Sequence, residues 1–453
     1  MEKVKQLKSK KSRDIYCKID MIIIDEISMV RPDLLDCVDK FLRLNAKDKK
    51  TPFGGVQMVF FGDLYQLPPV VSYKERAVFA SQYKGSYFFD SQVFTRGGFD
   101  MEFIELNKIY RQTDKLFIGL LNSIRNNSVE EHHLQLLNSR LQKDTRHNSV
   151  KNSIYLTTTN RLAARINEER LNRLKSRGYS YQGSVEGDFA KEHLPADFEL
   201  KIKPGAQVML LNNDSFGRWI NGTIGCVERI KEQKGEEDII EVRLPGGEVE
   251  DVCQYTWEVF HFRFNEGTAV IESDVVGRFT QYPLKLAYAV TIHKSQGKTF
   301  DKVVLDISDG VFACGQIYVA LSRCRCLEGI SLTRPIQKKH IFVDRKIMDF
   351  LTAYQYKISE ENMPLNEKIR RIEEAIDKNK KLDIIYLKAN DEKSRRVIRP
   401  LSVGTMSYQD KEFSGVEAHC FKRSETRVFR VDRILEMKEA EDFFAASIGG
   451  ERF

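Results

Sequence analysis

The chain has 453 residues, enough for about two to four domains. With 42% hydrophobic residues, 30% charged residues and a net charge of +7, its composition is ordinary for a soluble protein, and the mild basic excess fits a nucleic-acid partner without requiring one. No apolar run approaches a membrane span, the basic first residues M-E-K-V-K-Q-L-K-S-K-K have no apolar segment of a secretory signal, and the eight cysteines include no C-x-x-C pair, which speaks against a zinc ribbon and for reduced thiols in a cytosol.

Lys3–Lys18 reads as a basic, helix-capable lead-in, a solvated helix face or a frayed end. Met21–Met29 (M-I-I-I-D-E-I-S-M) comes next. Ile22, Ile23 and Ile24 predict a short strand buried on both faces of a parallel sheet, and Asp25 and Glu26 end it. Ligands of open parallel sheets sit at the carboxyl ends of the strands. One carboxylate there can orient a Mg²⁺ and the other position a water; an ordinary strand running into a solvated turn accounts for the same residues. Pro32 and Asp33 suit a first helical turn, which Leu34, Leu35, Val38, Phe41 and Leu42 continue at helical spacing. Val56–Phe61 predicts a second buried strand, leaving through Gly62-Asp63 into Leu64-Tyr65-Gln66-Leu67-Pro68-Pro69. Gly62 permits a tight exit, and Pro68 and Pro69 stiffen the backbone beyond it. Such a loop, presenting Asp63 and Gln66 beside the acid pair, is suited to sensing a bound phosphate. Phe103–Leu106 alternates like a strand and leads to Arg111, which can pair bidentately with a γ-phosphate or make a surface salt bridge. Ser153–Asn160 predicts a strand running into Thr159-Asn160, a natural N-cap whose free N–H groups suit a DNA phosphate. A cap without a ligand fits the same residues.

Between Pro204 and Pro283, Gln207–Leu211, Thr223–Ile230, Ile239–Leu244 and Thr268–Ile271 have the rhythm of a small β-barrel. The only tryptophans, Trp219 and Trp257, lie in or beside it, suited to base stacking or to core packing. Leu284–Ile292 is apolar and leads to His293, Lys294, Ser295, Gln296 and Gly297, whose polar side chains can join nucleotide on one side to DNA on the other. Val303–Leu305 is the next buried strand, and Gly315–Leu321 predicts a helix with Arg323 near its end. Lys357–Lys381 is charged, contains a helical stretch at Glu367–Ile376, and reads as a linker. Beyond it, Leu382–Leu387, Arg395–Pro400 and Val416–Phe421 predict strands of a small separate unit. Lys380–Arg433 carries 13 Lys and Arg against 8 Asp and Glu, which suits a nucleic-acid or phosphate ligand or a solvated charged face.

D-E-I-S-M at 25–29 and G-D-L-Y-Q-L-P-P at 62–69 resemble motifs II and III of the petite-integration-frequency family of DNA helicases, RecD-like members of superfamily 1B. Ile109-Tyr110-Arg111-Gln112 resembles motif IV, and Ile154–Asn167 the strand-to-helix segment of the second motor domain. Thr291–Phe300 (T-I-H-K-S-Q-G-K-T-F) resembles motif V and Tyr318–Arg323 (Y-V-A-L-S-R) motif VI, all in the family's order between Ile19 and Leu332. The resemblance implies an α/β fold with two RecA-like P-loop NTPase lobes, the first incomplete at its N-terminus. Residues 1–105 would be the partial first lobe, 106–203 and 284–350 the second, 204–283 an inserted Src-homology-3-like β-barrel, and 351–380 a linker. It implies ATP-dependent 5′-to-3′ DNA unwinding with ATP and Mg²⁺, single-stranded DNA and DNA junctions as partners, and a monomer in the bacterial cytosol or nucleoid. Carried over by residue, Glu26 activates water, Asp25 holds Mg²⁺, and Gln66, Arg111 and Arg323 act at the γ-phosphate. Asp25, Gln296 and Gly297 contact nucleotide, while Thr158, Thr159, Asn160 and His293 contact DNA.

Near the C-terminus, Y…R-x-I-x-P…A-x-C-x-x-R-x-x-x-R-x-F-R-x-D-R-I resembles a WYL domain over 381–440, with Ser414-Gly415-Val416 standing where the Trp-Tyr-Leu would be. It implies a nucleic-acid or nucleotide ligand held by Arg395, Arg423, Arg427 and Arg433. The helicase family also uses a phosphate-cradling loop, and no G-x-x-x-x-G-K-[ST] occurs here; the only Gly-Lys, Gly297-Lys298, belongs to motif V. The expectation is a helicase fragment without the Walker A segment, inactive alone, whose first lobe exposes strand edges and apolar faces. The alternative is a non-catalytic nucleic-acid-binding or regulatory protein using the second motor domain, barrel and WYL unit.

Overall fold

The computed structural model describes residues 4, 6–7, 10–96, 98–106, 108–142, 153–189, 194–265, 270–388, 393–408 and 411–440. The chain divides into two compact units: Met1–Glu102, Leu106–Arg125 and Val129–Phe342 form one, and Phe103–Glu105, Asn126–Ser128 and Val343–Phe453 the other.

In the first unit, α1 (Lys10–Lys18) precedes β1 (Met21–Ile24), followed by α2 (Pro32–Asn45) and β2 (Gln57–Phe60). β1 and β2 pair in parallel, Ile22 with Met58 and Ile24 with Phe60, as the apolar runs predict. Burial on both faces is not found. Among the described residues these strands form a sheet of only two, so Met21 and Ile23 are 47% and 61% exposed. Pro32 opens α2, where a missing N–H costs nothing. Leu35 and Leu42 are buried, while Leu34 faces solvent. The short helices α3 (Arg76–Ala80) and α4 (Gln92–Thr95) follow. The Asp36 carboxylate of α2 accepts the Gln92 and Val93 N–H groups and the Tyr83 hydroxyl, which ties α4 to α2. Phe103–Leu106, expected as a strand, has no ladder partner and stays irregular. Phe103, which itself belongs to the second unit, packs its ring 5.7 Å from that of Tyr354 in the same unit.

Helices α5 (Lys115–Arg125) and α6 (Glu131–Asn138) lead to β3 (Ile154–Thr157) and α7 (Asn160–Arg173). β3 pairs in parallel with β14 (Ala289–Thr291) and β15 (Val303–Asp306), and β15 with β16 (Ile330–Leu332). Strands covered on both faces read as unbroken apolar runs. Leu156, Val303 and Leu305 share one core with Phe117 and Leu120 of α5 and with Ile317 and Leu321 of α8 (Gln316–Ser322).

Between α7 and β14 lies an all-β insertion. It begins with β4 (Tyr179–Gln182), β5 (Ser184–Gly187) and β6 (Glu199–Ile202), ahead of the 204–283 span. β7 (Gln207–Leu210), β8 (Ile224–Lys231) and β9 (Ile239–Arg243) match predicted strands; with β10 (Val249–Val252) and β13 (Leu284–Leu286) they form a sheet of order β10-β9-β8-β7-β13. The predicted strand Thr268–Ile271 lies partly outside the described residues. Its end opens β12 (Val270–Gln281), which pairs antiparallel with β11 (Tyr255–Asn265) in a long hairpin not expected from the sequence. Trp219 belongs to the insertion's core with Val227, Ile240 and Tyr282. Trp257 stacks on Phe279 with ring centroids 5.7 Å apart.

The second unit contains α9 (Arg345–Asn362), α10 (Leu365–Asp377) and five antiparallel strands: β17 (Leu382–Leu387), β18 (Lys393–Tyr408), β19 (Lys411–Cys420), β20 (Glu425–Arg430) and β21 (Ile434–Glu439), in the order β20-β19-β18-β17-β21. Residues 351–380 are therefore not a linker. In α10, Leu365, Ile369, Ile372 and Ile376 recur at helical spacing and pack with Leu382, Ile384 and Ile398 of the sheet. The charges that suggested a linker pair on the outer face, Glu367 with Arg370 and Arg371, and Arg370 with Glu374.

Candidate functional site

The first unit's site begins where β1 stops. Glu26 has φ +51, a left-handed conformation that costs an L-residue roughly 1–2 kcal/mol and that tends to persist at functional sites. Its N–H donates to Asp25 Oδ1 at 2.8 Å. Asp25 is exposed and Glu26 half-buried; Glu26 Oε2 is buried with no partner among the described residues. Burial pushes the Glu26 carboxyl above its ordinary range. Asp25 and Asp63 add to the shift, while Arg323 and Arg111 oppose it. Groups distant in sequence thus meet around Glu26.

The loop after β2 is held against α8. Asp63 Oδ2 accepts the Tyr318 hydroxyl at 2.9 Å, and Asp63 Oδ1 lies 3.7 Å from Arg125. Gln66 Oε1 accepts from Gln296 Nε2 at 3.3 Å. Gly315 precedes α8 at φ +70, and a Cβ there would fall 2.3 Å from the Tyr65 carbonyl oxygen and 2.7 Å from that of Gln66. Only glycine permits that approach. Gly297 turns the chain after Gln296 at φ +73.

Arg323 follows α8 and is 1% exposed. Its Nε donates to Val319 O at 3.0 Å, Nη1 to Lys298 O at 3.3 Å and Nη2 to Ser322 Oγ at 2.9 Å. Burial and the neighbouring Arg111 lower the guanidinium to about 10. Arg111 Nη1 reaches Ser322 O at 3.4 Å. Gln112, given no role from sequence, is buried and donates Nε2 to both Ser322 O and Cys324 O at 3.1 Å. An amide directly after Arg111 in I-Y-R-Q is the one sequence signal for it. The structure therefore gathers Asp25, Glu26 and Arg111 near Arg323, and Gln66 against Gln296. Arg323 is held by carbonyls and a hydroxyl and makes no ion pair among the described residues. Two arginines raising each other's energy beside an unpartnered carboxylate oxygen suit a polyphosphate and a water. Asp25 suits Mg²⁺, which keeps several waters and takes phosphate oxygens rather than a full protein cage. No three His, Cys, Asp or Glu side chains gather as a metal cage among the described residues.

The residues expected to meet DNA lie at the ends of adjacent strands β3 and β14, whose register pairs Thr157 with Thr291. Thr159 caps α7, accepting the Leu162 N–H at 3.2 Å. Its hydroxyl also donates to Asp309 Oδ2 at 2.6 Å, and Arg161 Nη2 approaches the same carboxylate at 3.3 Å. The cap is present, but a carboxylate already stands at the helix start. Thr158 is 3% exposed and its Oγ1 has no partner among the described residues. Asn160 is exposed and His293 half-buried, with its imidazole pushed down by burial.

In the second unit Arg395 and Arg427, two of the four arginines expected to hold a ligand, do not share a face of the sheet. Arg395 pairs with Ile385 across β17–β18, next to Arg396 opposite Ile384. Alternation puts Arg395 on the face away from Ile384 and Ile398, where Asp383 binds it with both oxygens at 2.9 Å. Arg427 lies opposite Ala418, on the same face as buried Val416 and hence on the other side of the sheet. Arg423 is exposed in a turn. Arg433 lies in the Val431–Arg433 turn with its Nε buried and unpartnered. Arg396, passed over from sequence, is buried with an unpartnered Nη1.

A PIF1-like helicase family model matches residues 1–135, and a WYL domain model matches residues 367–439, including α10. The chain is 31% identical over 343 residues to the ATP-dependent DNA helicase Pif1 of Bdellovibrio bacteriovorus, covering 75% of this chain and 71% of that one. It is 34% identical over 323 residues to the ATP-dependent DNA helicase PIF1 of Xenopus laevis, covering 68% of this chain and 46% of that one, so it spans less than half of that relative. Among solved structures, Bacteroides sp Pif1 in complex with ADP-AlF4 is 38% identical, with a TM-score of 0.68 over 79% of this chain and 81% of that one. Bacteroides Pif1 in complex with ADP-AlF3 and ssDNA is 39% identical, with a TM-score of 0.58 over 78% and 80%.

Proposed function

The chain belongs to the PIF1-like helicase family, and we propose that it is the ATP- and single-stranded-DNA-handling part of a 5′-to-3′ DNA helicase. The observation that carries this is Glu26: a strained, half-buried carboxylate with an unpartnered oxygen, in electrostatic reach of Asp25, Asp63, Arg111 and Arg323. In this reading Glu26 orients and deprotonates the attacking water. Asp25 holds Mg²⁺, which supplies charge neutralisation on the phosphate oxygens when bound. Gln66 and Gln296, already bonded to each other, read the γ-phosphate, and Arg111 and Arg323 neutralise charge as it develops there. Arg323 would have to leave its carbonyl partners to do so. Thr158, Asn160 and His293 offer contacts to the single-stranded DNA seen with a Bacteroides relative.

The 453 residues contain no phosphate-loop motif. That loop provides a row of N–H donors, a lysine and a Mg²⁺-binding hydroxyl, so we propose that these residues alone do not turn over ATP at a helicase-like rate. A second reading, non-catalytic nucleic-acid binding, is favoured by the same missing motif and by the unpartnered Arg396 and Arg433 donors, which suit an anionic ligand of the WYL unit. Unwinding of duplexes with a 5′ or a 3′ single-stranded tail, by the chain joined to a phosphate-loop segment, decides between them. The helicase reading predicts unwinding from the 5′ tail only; unwinding from neither tail, with DNA binding intact, favours the second.

A further inference from the structure

We propose that Asp309 is an internal competitor of DNA: its carboxylate occupies the start of α7 and has to leave before a backbone phosphate of single-stranded DNA takes that place. The proposal rests on the single-stranded-DNA reading above and adds a brake to it.

Two strand ends bring the groups together. β3 and β15 are parallel neighbours whose register ends with Thr157 opposite Asp306. The segments that follow leave the sheet side by side, at the carboxyl ends where such sheets hold ligands. After β3 come Thr158, the cap Thr159 and the 14-residue α7. After β15 the chain turns sharply. The Ser308 N–H donates to Asp306 Oδ1 at 2.9 Å, and Gly310, at φ +89, donates its N–H to Ile307 O at 2.9 Å. That turn delivers Asp309 to the helix start.

The helix start suits an anion. A helix N-terminus carries partial positive charge and unpaired N–H groups. Thr159 adds a hydroxyl, the Arg161 side chain is 85% exposed, and Arg165 follows one turn later. Thr158 is 3% exposed and its Oγ1 has no partner among the described residues, so a second hydroxyl stands at the same point. Asp309 acts as the anion: its Oδ2 accepts the Thr159 hydroxyl at 2.6 Å and Arg161 Nη2 at 3.3 Å. The Thr159 hydroxyl, and after it Arg161 and Arg165, hold the Asp309 carboxyl below its ordinary range against the opposing effect of burial. The carboxylate is therefore charged at neutral pH. A threonine hydroxyl has one proton to donate, and Asp309 takes it.

An entering phosphate either displaces the carboxylate or lies beside it as a like charge. Displacement is an exchange, because Thr159 and Arg161 give the phosphate the donors they gave Asp309. The turn has room to move: a Cβ at Gly310 would meet nothing within 4 Å. DNA affinity is thereby reduced by the fraction of chains in which the carboxylate is in place. A protein that moves along a strand has to release each phosphate in turn, and competition here shortens the hold.

The test is binding of a fluorescent oligo-dT by the 453-residue chain across a salt series, for the wild type, Asp309→Asn, Asp309→Ser and Glu131→Gln, which neutralises an exposed acid of α6. A unit charge about 4 Å from a phosphate in water changes affinity about fivefold. Both Asp309 variants should bind about fivefold more tightly than wild type. Their log–log salt slope should be steeper by about 0.7, as Arg161 turns from the carboxylate to a phosphate, and Glu131→Gln should match the wild type. If Asp309→Asn does not fold, Asp309→Ser, which keeps a short acceptor for the Thr159 hydroxyl, carries the test. Wild-type affinity and slope in the Asp309 variants would overturn the brake and leave the DNA reading standing. Weaker binding in folded Asp309 variants would make Asp309 a support for DNA and overturn the brake as well. An equal gain in Glu131→Gln would assign the effect to net charge and overturn it too. A chain that binds no oligo-dT, as wild type or as either Asp309 variant, would remove both the brake and the DNA reading.

Discussion

Replacing Tyr318 by Phe removes one hydroxyl and leaves the ring. That hydroxyl donates to Asp63 Oδ2 at 2.9 Å, and burial, with the Asp63 carboxylate next, holds the tyrosine well above its ordinary range. Without it, Asp63 keeps, among the described residues, the Tyr65 N–H at 3.1 Å and Arg125 at 3.7 Å. A hydrogen bond to a charged acceptor contributes about 1.5–3 kcal/mol. The Asp63 side chain is 21% exposed, so water can partly replace the donor, and the expected loss is about 1.5 kcal/mol, roughly tenfold in the unfolding constant. Both tryptophans lie in the first unit, so fluorescence-monitored urea unfolding reports on that unit alone. A cycle with Asp63→Asn separates this bond from everything else the residues do. The double variant should be less destabilised than the sum of the singles by about 1 kcal/mol. Strict additivity would refute the coupling: the bond would then not join the Asp63–Gln66 loop to α8, and the loop would not be tied to the helix that carries Arg323.

Gly315→Ala should cost more. The left-handed backbone alone accounts for roughly 1–2 kcal/mol, and the added Cβ, 2.3 Å from the Tyr65 carbonyl oxygen, adds about 1–3 kcal/mol of overpacking; a wild-type melting temperature would refute this. Glu26→Gln should stabilise the chain at neutral and higher pH. A carboxyl whose value is raised by folding makes its contribution when protonated and loses it as pH rises through the folded value, a loss the amide does not suffer. Thermal melts should therefore show the variant above wild type near pH 8 and the two converging as pH falls below the ordinary carboxylate value near 4. A gap that widens toward acid would mean the Glu26 shift has the opposite sign.

What the sequence made legible was local. Three consecutive isoleucines before two acids specify a parallel strand end, and the Met21–Ile24 pairing with Gln57–Phe60 bears this out. Thr159 announces its cap in the same way. Legibility failed where the outcome depends on what packs from outside. Ile23 is as apolar as a core residue, yet it stays exposed in a sheet that, among the described residues, consists of β1 and β2 alone. The charges of 351–380 masked the apolar stripe Leu365, Ile369, Ile372 and Ile376, which only the facing sheet makes evident. Arg395 and Arg427 look like one cluster in a string of letters, but strand alternation sends them to opposite faces. Asp309, far along the chain from Thr159, had no sequence signal for its place at the start of α7.

The most direct measurement of the central claim is ATP hydrolysis by the 453-residue chain, alone and joined to an upstream strand and phosphate loop, with and without single-stranded DNA. Positioning and fixed electrostatics supply nearly all the catalysis in phosphoryl transfer. The chain alone should therefore show no helicase-like turnover, although Glu26, Arg111 and Arg323 are in place. Joined to the loop, it should hydrolyse ATP in a DNA-stimulated manner that Glu26→Gln abolishes. DNA-stimulated hydrolysis by the unjoined chain, lost on Glu26→Gln, would contradict that claim.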